Sequence, residues 1–364
     1  MSQFKHVSTA VSGQRQSAPT GQSAPTSQRV PMGRSAPEAA IYDIRQQRRS
    51  LAPSAVSKVP KVAILLCTYH GQHFLADQLD SFAAQTHANW QVCASDDGSR
   101  DDTHAILAQY QQQWGAKRLS LHAGPAQGFA ANFLSLSCDT GIEADYYAYS
   151  DQDDIWEADK MQRALNWLAG VAPDVPALYC SRALLVDVDN QPIGASPLFT
   201  QAPSFANSLV QSIGGGNTMV FNNALRKLLI EAGKDVQIIS HDCWAYMVAT
   251  GCGGKVFYDA CPSLRYRQHD CNLVGTNRSW RARYSRLQRL CNGWFRSWND
   301  HNIASLQRLR HRLTPENRRI LDDFAKARQS WLIPRLWLMK RSGIHRQSLG
   351  GNIAFCVAAI FNKI

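Results

Sequence analysis

The run Ser150-Asp151-Gln152-Asp153-Asp154-Ile155-Trp156 sets three carboxylates within four residues, directly after Tyr146-Tyr147-Ala148-Tyr149. Carboxylate oxygens are hard ligands suited to Mg2+ or Mn2+, and such an ion usually joins a protein to its substrate's phosphates. A strand that ends in clustered Asp would place these oxygens at the carboxyl edge of a sheet, where open α/β sheets bind ligands. The chemistry in view is a metal-assisted reaction of a nucleotide-activated substrate. The same residues also suit a solvated acidic turn that caps the next helix.

Two other apolar runs end in the same way. Thr68 and Tyr69 follow Val62-Ala63-Ile64-Leu65-Leu66-Cys67, and Asp96-Asp97-Gly98-Ser99 follow Trp90-Gln91-Val92-Cys93-Ala94. Asp97 could accept from the imide N–H of a pyrimidine, and Tyr69 could pack against its ring. Three such loops on one edge make a site a better reading than any one alone.

The elements that must position these residues alternate. The continuous apolar run at 62–67 reads as a fully buried parallel strand. Helices are expected around Phe74–Phe82, over 101–110 and from Gly128 onward, with strands at 90–94, 119–121 and 145–149. This is a strand–helix alternation of doubly wound type. From Ala177 the pattern is mixed: strands at 178–180, 184–186, 218–221, 255–258 and 263–266, and a helix over 243–249 capped by Ser240-His241-Asp242. Residues 1–57 repeat Ser-Ala-Pro units, as in Ser17-Ala18-Pro19 and Ser23-Ala24-Pro25. Such sequence cannot bury enough apolar area to offset its ordering entropy and reads as disordered.

The chain has 364 residues, 45% of them hydrophobic, and ten Cys without any CxxC pair. Free thiols in a reducing cytosol are expected, and an apolar leader is not seen at the start. Cys243, Cys252, Cys261 and Cys271 are spaced too widely for a structural zinc site. The net charge of +11 is concentrated after residue 277, which draws a protein to anionic partners. A nucleic-acid binder is the rival reading, but acidic loops at strand ends would repel phosphate unless a metal intervened.

At this point the motifs form an ordered set. Cys67-Thr68-Tyr69-His70-Gly71, Ser95-Asp96-Asp97-Gly98-Ser99 and Gly128-Phe129 with Asn132-Phe133 are followed by the acidic run with Lys160. Gly216-Asn217-Thr218-Met219-Val220-Phe221-Asn222, His241-Asp242-Cys243-Trp244 and Tyr266-Arg267-Gln268-His269-Asp270-Cys271-Asn272 complete it. From about residue 61 to 277 the chain resembles inverting glycosyltransferase family 2, closest to its rhamnosyltransferase-like members. The resemblance implies a GT-A fold: a Rossmann-like mixed α/β sheet flanked by helices. It also implies a UDP- or dTDP-linked sugar donor, Mg2+ or Mn2+, and inversion at the anomeric carbon, with rhamnose a candidate sugar and a cell-envelope or surface-polysaccharide hydroxyl as acceptor.

Carried onto this chain, the likeness makes Thr68, Tyr69, Asp97 and Gln152 nucleotide-binding. Asp151 and Asp153 become the metal pair, with His269 beside the metal or diphosphate, and Asp242 the general base. Gly216, Asn217, His241 and Trp244 would line the donor and acceptor pocket, the glycines leaving room for a sugar. His241 stands where the family often has an acid before the base.

Three segments are therefore expected: a disordered 1–57, a GT-A domain over 58–277 and a basic helical extension over 278–364. In the extension Trp280, Trp294, Phe295, Trp298, Trp331 and Trp337 are interleaved with Arg. That composition suits a helix lying on anionic lipid, on the cytoplasmic face of a membrane where a glycan or lipid-linked acceptor would be.

Overall fold

A computed structural model describes residues 59–269 and 294–364, all within the unit Lys58–Ile364. The expected disorder of residues 1–57, and the motif residues Asp270, Cys271, Asn272 and Trp280, lie outside the described residues.

Four parallel strands, β1 (Val62–Thr68), β2 (Trp90–Asp96), β3 (Leu119–Ala123) and β4 (Tyr146–Ser150), build the first half of the main sheet. β1 is central, with β2 and then β3 on one side and β4 on the other. Alternate side chains of a strand point to opposite faces, so β1 feeds two cores. Val62, Ile64 and Leu66 meet Leu75, Leu79 and Phe82 of α1 (Leu75–Ala83). Ala63 and Leu65 belong to the cluster of Phe133 from α3 (Phe129–Cys138). Burial on both faces is why this strand reads as one apolar run. α2 (Thr103–Trp114) completes the crossovers.

Because the chain steps outward from β1 to β3 and returns to β4 on the other side, the loops after β1 and β4 part and leave a crevice between them. The second half of the sheet is mixed. β9 (Val220–Asn222) runs antiparallel between β4 and β6 (Ala177–Ser181), and β10 (Lys255–Asp259) adds parallel to β6. A second sheet has the order β5-β11-β7-β8, from β5 (Ile155–Trp156), β7 (Leu184–Val186), β8 (Pro192–Ala195) and β11 (Leu264–Arg267). The mixed α/β sheet flanked by helices is the architecture expected.

Four elements were not anticipated from the sequence: β5, β8, α4 (Lys160–Leu168) and the short α5 (Phe205–Ser208). β5 has two residues and β8 is exposed and carries Pro192 and Gly194, so neither shows a period. α4 does carry a helical stripe, Met161, Ala164, Leu165 and Leu168, all buried.

α6 (Asn223–Ala232) and α7 (His241–Gly251) cover one face of the sheet, and α8 (Trp294–Arg308), α9 (Pro315–Gln329), α10 (Leu332–Ser342) and α11 (Leu349–Ile360) follow. Leu306, Leu309, Leu321, Phe324, Leu338 and Phe355 are buried in the same apolar cluster as Trp244, Met247 and Val248 of α7. Each such burial contributes about 1.5–3 kcal/mol. Phe295 and Trp298, expected on an exposed interfacial face, instead turn inward: Phe295 is buried and Trp298 packs against this cluster. No helix of the described residues is long and apolar enough to cross a membrane.

Candidate functional site

Register alone assembles the first part of the site. Thr68 pairs with Asp96 across β1 and β2, and Leu66 with Ser150 across β1 and β4. The loops holding Tyr69, Asp97 and Asp151 therefore leave one sheet edge side by side.

Thr68 is buried, and its hydroxyl donates to Asp96 Oδ2 at 2.8 Å. It ties the two strand ends together at the base of the crevice. Asp96 also accepts from Ser99 N at 2.7 Å and Gly98 N at 3.1 Å. Gly98 takes the left-handed φ of 98° that this turn requires. Burial works to raise the Asp96 pKa, but these hydrogen bonds outweigh it and hold the carboxyl below its usual range. Asp97 accepts from Ala126 N at 2.7 Å and Gly128 N at 2.8 Å, so both oxygens already support the turn into α3.

Tyr69 is 56% exposed at the mouth of the crevice. Gln152 clasps its backbone: Oε1 accepts from Tyr69 N at 2.8 Å and Nε2 donates to Tyr69 O at 2.9 Å. A Cβ on Gly71 would come within 2.7 Å of the Gln152 Cδ, so a glycine there lets the clasp close. On its other side the loop is laced to the β2 loop, through His70 N to Ser99 Oγ and Gly71 N to Thr103 Oγ1, each 2.8 Å.

β11 pairs antiparallel with β5, and this pairing carries His269 to the acidic loop. His269 Nε2 lies 2.9 Å from Asp153 Oδ2. Buried Arg267 holds the Asp153 carbonyl through Nε at 3.2 Å and the Asp77 carboxylate through Nη2 at 2.8 Å, with its guanidinium over the Phe74 ring. Loss of water, then the charges of Asp153 and Asp242, push the Asp151 carboxyl above its ordinary range.

One buried network escaped the sequence reading in its role. Lys160, at the head of α4, donates through Nζ to Asn217 O and sits 4.0 Å over the Trp156 ring. Asn217 Nδ2 donates to Asp154 Oδ2 at 2.6 Å, and Asp154 N donates to Gln78 Oε1 at 3.1 Å. Asp154 Oδ1 has no partner among the described residues. Burial pulls the Lys160 ammonium down to about 7, against the pull of Asp154 and Asp151. Lys160 begins the buried stripe of α4, a position where a lysine needs a partner, and that was the available signal. Asn217 thus faces this network.

α7 presents the remaining candidates. Asp242 lies in its first turn and accepts from Ser212 Oγ at 3.1 Å. His241 is buried, stacked on Phe133 with ring centroids 3.7 Å apart and edge-on to Tyr149. Neither of its ring nitrogens has a partner among the described residues, and burial lowers its pKa to about 4. The imidazole is neutral at pH 7 and a weak base. A Cβ on Gly216 would overlap His241 Nε2, so the missing side chain makes room for this ring, which corrects the expectation that it makes room for a sugar. Trp244 is fully buried in the core cluster and lines no pocket. Two residues on from Asp242 is about 200° around a helix.

Among the described residues no group of three or more acidic, imidazole or thiol side chains is placed to hold a metal ion. Asp151 and Asp153 are a pair of carboxylates whose mutual repulsion a cation would relieve. That fits Mg2+ or Mn2+, which take one or two carboxylates and complete their shell with phosphate and water.

A family model described as "Glycosyl transferase family 2" matches residues 63–196. The dTDP-rhamnosyl transferase RfbG of Shigella flexneri is 30% identical over 244 residues, 64% of this chain and 81% of that protein. The UDP-Glc:alpha-D-GlcNAc-diphosphoundecaprenol beta-1,3-glucosyltransferase WfgD of Escherichia coli is 27% identical over 107 residues, 29% of this chain and 40% of that one. Among solved structures, S. aureus TarS 1-349 in complex with UDP-GlcNAc is 13% identical with a TM-score of 0.46, covering 78% of this chain and 90% of that one.

Proposed function

The chain belongs to glycosyltransferase family 2, and from that premise we propose that it moves rhamnose from dTDP-rhamnose, with Mg2+ or Mn2+, to a glycan or lipid-linked hydroxyl at the cytoplasmic face of a membrane, inverting the anomeric carbon. The dTDP-rhamnosyl transferase relative makes this donor the first to try, with UDP-sugars next. The reading is supported by one observation: Asp151 and Asp153 follow β4, Asp153 is held by His269, and the charges of Asp153 and Asp242 both reach Asp151 and push its carboxyl up.

Tyr69, its backbone held by Gln152, would stack on the nucleoside base. Asp97 would take the imide N–H through the lone pairs that its two backbone contacts leave. Asp151 and Asp153 would hold the metal, with His269 fixing the Asp153 carboxylate. The bound ion would supply charge neutralisation on the departing diphosphate. Asp242 would take the proton of the acceptor hydroxyl as that oxygen attacks the anomeric carbon, with Ser212 holding the carboxylate in place. His241, Gly216 and Asn217 would back the pocket from within, His241 packed on Phe133 and Asn217 held by Asp154.

Calorimetry with dTDP, on protein stripped of divalent ions and then supplied with Mn2+, tests the metal and nucleotide parts together. Tighter binding with Mn2+ is expected, followed by dTDP release from dTDP-rhamnose once acceptor is added. Equal affinity with and without Mn2+ would remove the metal from the scheme.

A further inference from the structure

We propose that the exposed apolar face of α10 and α11 is a docking surface for an anionic lipid bilayer. In α11, Leu349, Ile353, Val357 and Ile360 recur at helical spacing on the solvent side, while Phe355, Ala358 and Ala359 are buried on the other. In α10, Ile333, Leu336 and Trp337 form a similar stripe that ends in exposed Lys340. Trp331 is 70% exposed, Ile333 67%, Leu349 78% and Phe361 69%. Large apolar side chains exposed together on a helix face mark an interaction site. Buried Arg335 of α10 donates through Nη1 to the Ala359 carbonyl of α11 at 2.8 Å, which fixes the two helices as one platform.

Charge selects the occupant. Residues 331–364 contain no Asp or Glu; Arg335 is buried and Arg341 is paired with Asp323, and Lys340, Arg346 and Lys363 are the further cations of this stretch. A second copy would set like charge against like charge, whereas anionic headgroups complement it while the aromatic and aliphatic side chains enter the acyl boundary. The interfacial surface is thus narrower than the sequence composition suggested: Trp331 and Trp337 face solvent, and Phe295 and Trp298 belong to the core. The inference relies on the proposed function only for where the acceptor lies.

The test uses full-length protein, sedimented with vesicles of phosphatidylglycerol and phosphatidylcholine or of phosphatidylcholine alone. Wild type should pellet with the anionic vesicles, and about 1 M salt, where the screening length is about 3 Å, should weaken the attachment without abolishing it. An Ile333→Asp, Ile353→Asp, Phe361→Asp variant should stay in the supernatant with an unchanged melting temperature and unchanged turnover of donor in solution. A Lys340→Glu, Lys363→Glu variant should bind at least about ten-fold more weakly, and it decides the matter if the triple variant melts early. The proposal is overturned if wild type stays in the supernatant, if the well-folded variants pellet like wild type, or if light scattering shows a wild-type dimer that the triple variant breaks while vesicles bind neither. Vesicle binding without any donor turnover would instead sink the transferase reading and leave the surface standing.

Discussion

The His241 ring occupies the space that a side chain on Gly216 would need: a Cβ there would overlap Nε2 and come within 2.8 Å of Cε1. His241 is packed against Phe133 and Tyr149, so it cannot step aside without disturbing the core. Gly216→Ala should therefore lower stability by about 1–3 kcal/mol, the usual cost of overpacking, read as a fall in the urea midpoint. An unchanged midpoint would mean that the ring is free to move.

Gln152→Ala removes both hydrogen bonds that hold the Tyr69 backbone. With about 0.5–1.5 kcal/mol per bond, the KM for the nucleotide-sugar should rise about ten-fold while kcat stays within about two-fold, the pattern of lost uniform binding. Steady-state kinetics settle it, and an unaltered KM would show that the clasp does not position the base site.

Much of this was legible in the chain because strand ends and ligand loops coincide. The buried run at β1 and the polar residues after β1, β2 and β4 needed only the parallel register to meet. His269 reached Asp153 through β5, a strand of two residues with no period to read. The family likeness puts Trp244 in the pocket, whereas α7 is almost wholly buried and turns Trp244 into the core. The sequence does not show that the Thr68 hydroxyl donates to Asp96 and so joins the two strand ends.

Lys160→Met should be a damaging change, because it leaves the buried Asn217 carbonyl without its donor, and Asn217 in turn holds Asp154. Leaving a buried acceptor without its donor costs about 1–3 kcal/mol. Asp154 is bonded to the same Asn217, so adding Asp154→Asn should lower the urea midpoint by less than the sum of the two single changes. Simple additivity of the two changes would show that Lys160 and Asp154 do not act as a unit.

Burial holds His241 near pKa 4, down from 6.5. Between those values the unfolded chain binds a proton that the folded one does not, so stability falls as pH drops through the window. By linkage the cost is about 2 kcal/mol at pH 5 relative to pH 7. His241→Asn should lose correspondingly less stability over that interval in urea titrations at the two pH values. Equal losses in both proteins would place the imidazole in contact with water.

The central claim is that Asp242 takes the acceptor's proton in a transfer whose donor is held elsewhere in the crevice. Its most direct measurement is sugar transfer by Asp242→Asn beside wild type, with donor affinity taken from calorimetry on the same preparations. A base of this kind contributes about 100- to 10,000-fold, so kcat should fall by at least about 100-fold while the donor Kd stays within about two-fold. A variant that turns over like wild type, or one whose whole loss lies in donor affinity, would contradict the account.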